Sequence, residues 1–157
     1  MNPERRLEEL GLSLPQAAKP VAAYVPAVRV GDLVFISGQI PMRDGSPVCL
    51  GKVGADVDVA TATDAAKTCC VQGLAALKTV IGDLGFVRRV VRIGVFVASA
   101  EGFTGQPQVA NGASELLEQV FGEAGRHARA AVGVAELPLG VCVEVELLFE
   151  VSPPDGI

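Results

Sequence analysis

Residues Arg126 to Val151 read RHARAAVGVAELPLGVCVEVELLFEV, and no other part of the chain narrows the choice of fold as much. Apolar residues alternate with small or charged ones at period two, the pattern of strands with one buried face. Two such strands joined by Leu137 to Gly140 predict an antiparallel hairpin. With Glu136 opposite Val141, Gly133 faces Glu144, Ala131 faces Glu146 and Arg129 faces Leu148. Val132, Val134, Val141, Val143, Val145, Leu147 and Phe149 then form the core side, and Arg129, Ala131, Gly133, Glu144 and Glu146 share the other. In this hairpin Arg129 lies on the order of 13 Å from the level of Glu144, at about 3.3 Å per residue. A small ligand or a second subunit fits that space. The plain alternative is a solvated face whose charges keep a sheet edge soluble.

The rest of the chain supplies partners for these strands. Pro3 to Leu10 has the pattern of a short helix, followed by the proline-containing connector SLPQAAKP. The runs VAAYVPAVRV and LVFISGQIP flank a Gly-Asp turn and predict two antiparallel strands. MRDGSPVCLGKVGADVD is rich in Gly, Pro and Asp and reads as loop with at most a short irregular strand. A helix is expected from Val59, capped by Asp58, with Ala62, Ala66, Cys69, Gly73, Leu77 and Leu84 along one face. Its first half carries only small residues, which predicts close approach to a neighbour. FVRRVVRIGVFVAS is apolar enough for a strand covered on both sides, with Val87, Val91, Ile93, Val95 and Val97 facing one way and Val90, Phe96 and Ala98 the other. A second helix is expected over Val109 to Phe121. The order is ββαβαββ, an α+β domain in which two main helices cover one face of a mixed sheet. The apolar residues left on the other face predict a symmetric oligomer that buries them.

At 157 residues the chain suits one domain, 1–157, with 1–20 as a helical extension and connector. Hydrophobic residues make up 50% and charged residues 20%, the balance of a well-packed globular protein. Thirteen Lys and Arg against 18 Asp and Glu give a net charge of −5, and there is no Trp and only one Tyr. That is the wrong sign and too few stacking platforms for a nucleic-acid partner. Every apolar run is interrupted before it reaches membrane-span length, and the charged N-terminal segment lacks the apolar core of a secretory signal, so a cytoplasmic protein without a membrane partner is expected. Four cysteines form no C-x-x-C pair and His127 is the lone histidine, so neither a metal nor a cofactor is expected. Cys69 and Cys70 read as buried reduced thiols.

SGQIP at Ser37 to Pro41, Asn111 within VANGASELLEQVFGEAG, and ARAAVGVAELPLGVCVEVE together resemble the RidA family, also known as YjgF/YER057c/UK114 and as "endoribonuclease L-PSP". The likeness covers Tyr24 to Val151, and GKVG, VANGASELL and GRHARAAVGVAELPLG mark a RidA-like branch. The resemblance implies a chorismate-mutase-like fold and a homotrimer with clefts between subunits. It also implies hydrolysis of reactive 2-imino or enamino acids to 2-oxo acids and ammonia, with a small carboxylated metabolite as partner.

On this resemblance Arg129 grips the substrate carboxylate and Glu144 orients or deprotonates the attacking water, while Tyr24, Ser37, Gly38 and Asn111 line the cleft. Each has a plainer reading: an ion pair for Arg129, packing for Tyr24, a strand-end turn for Ser37 and Gly38, and a loop cross-link for Asn111. Glu146 reads as structural or intersubunit and His127 as incidental. Where many members read Arg-Ser-Cys this chain has Arg129-Ala130-Ala131, so no covalent cysteine mechanism is available there. Gly133 replaces a bulkier family residue, which predicts a wider pocket. Two other functions stay open: a non-enzymatic trimeric sensor of small carboxylates, and the endoribonuclease of the family label, which charge and composition argue against.

Overall fold

The computed structural model describes residues 2–17, 19 and 22–153. Helix α1 (Pro3–Glu9) starts where the Asn2 side chain accepts from the Glu4 and Arg5 amides. Strands β1 (Ala27–Val30) and β2 (Leu33–Gln39) form the expected hairpin across Gly31-Asp32. In the expected loop, β3 (Met42–Arg43) and β4 (Ser46–Pro47) make a small separate hairpin whose turn places Asp44 and Gly45 at positive φ. Helix α2 (Val59–Ile81) is capped by Asp58, which accepts from the Thr61 amide at 2.8 Å. Then follow β5 (Val87–Ala98), α3 (Gln106–Phe121), β6 (Ala128–Val134) and β7 (Val143–Val151).

The main sheet runs β1-β2-β7-β5-β6, and only β5 and β6 are parallel. The predicted β6–β7 hairpin is therefore incorrect, because β5 lies between the two strands. Residues 137–141 are a spacer with a short 3-10 turn at Pro138–Gly140 and Leu139 at positive φ, not a tight hairpin loop.

The faces change with the pairing. Arg129, Ala131 and Gly133 stand beside Ile93, Val95 and Val97, and through these beside Leu147, Val145 and Val143; these six apolar residues are buried under the helices. Glu144 aligns with Phe96 and Val132 on the open face, and Glu146 with Gly94 and Ala130. The shared face predicted for Arg129 and the two glutamates is thus wrong, and Val132, placed in the core by the hairpin register, is 45% exposed. Bulges in β5 between Val87 and Arg89 and between Val90 and Arg92 shift the alternation, which puts Val90 in the core opposite Phe149.

The core lies between the sheet and the helices. Phe149 is fully buried and meets Phe121 edge-on at 6.3 Å. The small first half of α2 does allow close approach: Gly112 on α3 abuts the backbone carbonyl of Thr63, where a Cβ would overlap the oxygen. The sheet's other face leaves Val28, Val30, Leu33 and Phe35 exposed.

Gly112→Ala is expected to destabilise the fold even though alanine favours a helix by ~1 kcal/mol. The obstructing atom is backbone, and overpacking of this kind costs about 1–3 kcal/mol. Urea unfolding should show a lower midpoint at an unchanged m-value.

Candidate functional site

Strand β6 is an edge strand, and α3 is the element that links it to β5. The spacing of Asn111, Ser114 and Glu118 puts all three on one helical face, next to the start of β6. A cleft of about 320 Å³ lies there, lined by these residues together with Arg126, His127 and Arg129. Arg126 pairs with Glu118 at 3.1 Å and with Glu123 at 3.8 Å. Arg129 differs. Its Nη1 donates to Asn111 Oδ1 at 2.8 Å and to Ser114 Oγ at 3.2 Å, and no carboxylate among the described residues pairs with it. A guanidinium with only neutral partners keeps its full charge for an anion.

Ser114 and His127 were not singled out as site residues. Ser114 Oγ lies 2.9 Å from His127 Nε2, and His127 Nδ1 lies 2.6 Å from the Gly125 carbonyl oxygen. The histidine read as incidental is tied into the arginine's surroundings. The available signal was the helical spacing of Asn111 and Ser114, combined with the i, i+2 spacing of His127 and Arg129 on one strand side.

The other expected site residues form a second group. Tyr24 is 58% exposed, ahead of β1. Ser37 sits at a bulge of β2, where its hydroxyl donates to the Val25 carbonyl at 2.7 Å. Gly38, in the same bulge, lies under the Glu144 side chain, and a methyl group there would run into the carboxyl. Glu144 is half-buried, and burial pushes its pKa up, with the nearby Glu146 charge adding to the effect. Glu146 has a compensating partner in Arg92 at 3.3 Å and lies over Gly94. Glu144 has no cationic partner among the described residues.

Within one chain the two groups stay apart. Strand β6 is three positions from β2 in the sheet, roughly 14 Å at 4.7–4.9 Å per strand, and the groups occupy opposite faces. Arg129 and Asn111 meet, as do Gly38 and Glu144, but the halves do not.

Gly133 opens no space on the helix side of β6. The space its Cβ would take is filled by Gln106 Nε2 and Ser99 Oγ, and Gln106 is held there by bonds to Ser99 and the Phe103 carbonyl. Ala131 packs against the core. Cys69 and Cys70 are buried in α2, and desolvation raises both thiols, Cys70 to about 12, which leaves them inert. Among the described residues no three His, Cys, Asp or Glu side chains gather to hold a metal ion, and no helix is long and apolar enough to cross a membrane.

A mixed five-stranded sheet with both long helices on one face and a polar cleft at its parallel edge defines an α+β domain of chorismate-mutase-like architecture. The chain belongs to the family described as "YjgF/chorismate_mutase-like, putative endoribonuclease", whose model matches residues 4–151. Protein TCP17 of Trypanosoma cruzi is 46% identical over 147 residues, covering 93% of this chain and 92% of that protein. The crystal structure of Atu1372 from Agrobacterium tumefaciens, a protein "with unknown function", superimposes with a TM-score of 0.88 at 47% identity, covering 95% of this chain and 91% of the other. A protein of Dermatophagoides farinae named 2-iminobutanoate/2-iminopropanoate deaminase is 29% identical over 143 residues, 90% of this chain and 95% of its own. The family expected from SGQIP and ARAAVGVAELPLGVCVEVE is the one found.

The raised pKa of Glu144 means that folding favours its neutral form. Its contribution to stability is present below the unfolded carboxyl pKa and is lost as pH rises through the folded one. Glu144→Gln is expected to match the unsubstituted protein below about pH 4 and to exceed it in stability at neutral pH. Urea midpoints measured across that range at fixed protein concentration check the sign.

Proposed function

We propose that this protein hydrolyses reactive 2-imino or enamino acids to 2-oxo acids and ammonia, in clefts between the subunits of a homotrimer. The observation that carries the reading is Arg129: a cation at an exposed sheet edge, held by two neutral oxygens and unmatched by a carboxylate. The 29% identical deaminase supports the substrate class.

The chemistry follows from the groups. Arg129 binds the substrate carboxylate and Asn111 holds Arg129. Glu144 accepts a proton from water as its oxygen attacks the carbon of the protonated imine, giving a carbinolamine. The same carboxyl returns that proton to nitrogen, takes up the hydroxyl proton as the C=O bond forms and the C–N bond breaks, and passes it to the departing ammonia, so that the 2-oxo acid and ammonium leave. A carboxyl with a raised pKa suits a group that must both take and give a proton. Tyr24, Ser37 and Gly38 form the wall around Glu144. No side chain at Ala130 or Ala131 supplies a nucleophile, and none is required.

Association supplies the missing geometry. The Arg129 group and the Glu144 group lie on opposite faces of one sheet, so a neighbouring copy must bring its Glu144 group to this chain's Arg129. Val28, Val30, Leu33, Phe35 and Val132 would be covered in the same step. The trimer itself is what the family resemblance implies.

A binder of small carboxylates without turnover is the second reading, favoured by Ala131, a partly buried residue against the core where the family resemblance implies a thiol in many members. Generating 2-iminopropionate in situ and following pyruvate and ammonia separates the two. Turnover above buffer supports the deaminase; tight 2-oxo acid binding without turnover supports the binder. Arg129→Ala is expected to lower kcat/KM about 10- to 100-fold, the loss of one charge-assisted interaction. Glu144→Gln is expected to lower kcat roughly 10²- to 10⁴-fold with KM nearly unchanged. A sedimentation mass of three 16.2 kDa chains checks the assembly.

A further inference from the structure

Behind Arg129 runs a chain of hydrogen bonds, and each link has one allowed direction. A guanidinium carries only donors, so Nη1 gives one hydrogen to Asn111 Oδ1 at 2.8 Å and the other to Ser114 Oγ at 3.2 Å. The Gly125 carbonyl can only accept, so His127 Nδ1, 2.6 Å away, bears a proton. In the uncharged ring Nε2 is then bare and accepts the Ser114 hydroxyl proton across 2.9 Å. The hydroxyl rotor is thereby fixed, with its proton toward the ring and a lone pair toward Arg129. Without the ring the rotor is free to swing its proton toward the cation.

We infer that Ser114 and His127 are a positioning pair for Arg129, which saturates Nη1 and leaves the Nε–Nη2 edge of the guanidinium open for a planar anion. Both hydrogens of Nη1 are taken, and no acceptor among the described residues takes Nε or Nη2. Those two nitrogens form a parallel fork that matches the two oxygens of a carboxylate. The consequence for function rests on the reading of Arg129 as a carboxylate binder, while the anchoring itself is a property of the protein alone. Neither Ser114 nor His127 touches the bound acid in this scheme. They act through Arg129, and the Gly125 carbonyl is the fixed point from which the chain is hung. Gly125 holds its own place tightly, because a Cβ there would collide with the Leu117 carbonyl.

Nitrogen-15 NMR tests the pair on the full-length protein. The unsubstituted protein is expected to show His127 as the Nδ1–H tautomer, and slow rotation about the Arg129 Cζ–Nη1 bond. Ser114→Ala and His127→Ala should both release that rotation, whereas His127→Gln, whose amide oxygen can still accept from Ser114, should restore it. Calorimetry with 2-oxobutanoate as probe is expected to show binding about 3- to 10-fold weaker in Ser114→Ala, the worth of one ordinary hydrogen bond. Adding Ser114→Ala to Arg129→Ala should weaken it no further. An Nε2–H tautomer overturns the inference, and that measurement needs no variant, so a variant that fails to fold does not blunt it. Unchanged Nη1 rotation in Ser114→Ala also overturns it. If the unsubstituted protein binds 2-oxobutanoate and Ser114→Ala binds it equally well, the pair fails and the carboxylate site stands. If the unsubstituted protein does not bind it but rotation is freed in Ser114→Ala, the pair stands and the carboxylate reading fails.

Discussion

The parallel pairing of β5 with β6 is the constraint on which the rest of the molecule depends. Parallel neighbours cannot be joined by a tight turn and need a crossover, usually a helix. Here α3 is that crossover, and its return path sets Asn111 and Ser114 against the strand that begins at Ala128. Had β6 paired with β7 through a short turn, Arg129 would have had β7 alone for company. Strand β5 bears the cost of lying between two partners of opposite direction by being almost wholly apolar in its second half, with Ile93, Val95 and Val97 fully buried. The polar cleft stands beside the middle of β5, where Ile93 pairs with Arg129.

The sheet also divides the electrostatics. On the helix side Arg129 is held by two neutral oxygens. On the open side β7 carries Glu144, Glu146 and Glu150, and of these only Glu146 has an ion-pair partner among the described residues, Arg92. Burial and the charge of Glu146 make Glu144 hold a proton more readily than an ordinary glutamate. One chain thus carries a guanidinium without a carboxylate partner among the described residues and a carboxyl with a raised pKa, separated by a β-sheet. Neither property depends on the other being close, which is why each is fully formed in a single copy.

Much of this was legible in the sequence, and the errors share a cause. The helices declared themselves through spacing and through Asp58 as a cap, and the first hairpin through its Gly-Asp turn. Alternation in β7 correctly placed Val143, Val145, Leu147 and Phe149 inward. Alternation says which residues of one strand share a side; it is silent on which strand lies next door. LPLG looked like a turn, so β6 was given the nearest partner in sequence, and the faces of Arg129, Val132 and the glutamates were mismatched as a result. Val90 was misplaced for a related reason, since the β5 bulges shift the alternation at a point where the sequence has no glycine to announce it. The site residues came from the family resemblance rather than from spacing. Ser114 and His127 escaped both, because the steps from Asn111 to Ser114 and from His127 to Arg129 are common spacings that point to one site only when α3 and β6 are seen side by side.

The contact of Gly112 with the Thr63 carbonyl reaches further than the packing of two helices. The residue before it is Asn111, which turns about 100° around the helix and touches Arg129. One peptide unit therefore links the tightest backbone approach between the helices to the guanidinium at the sheet edge. Thr63 on α2, Gly112 and Asn111 on α3, and Arg129 on β6 thus form one continuous line of contacts from α2 to the sheet edge, and that line passes through a residue that can hold its place only by having no side chain.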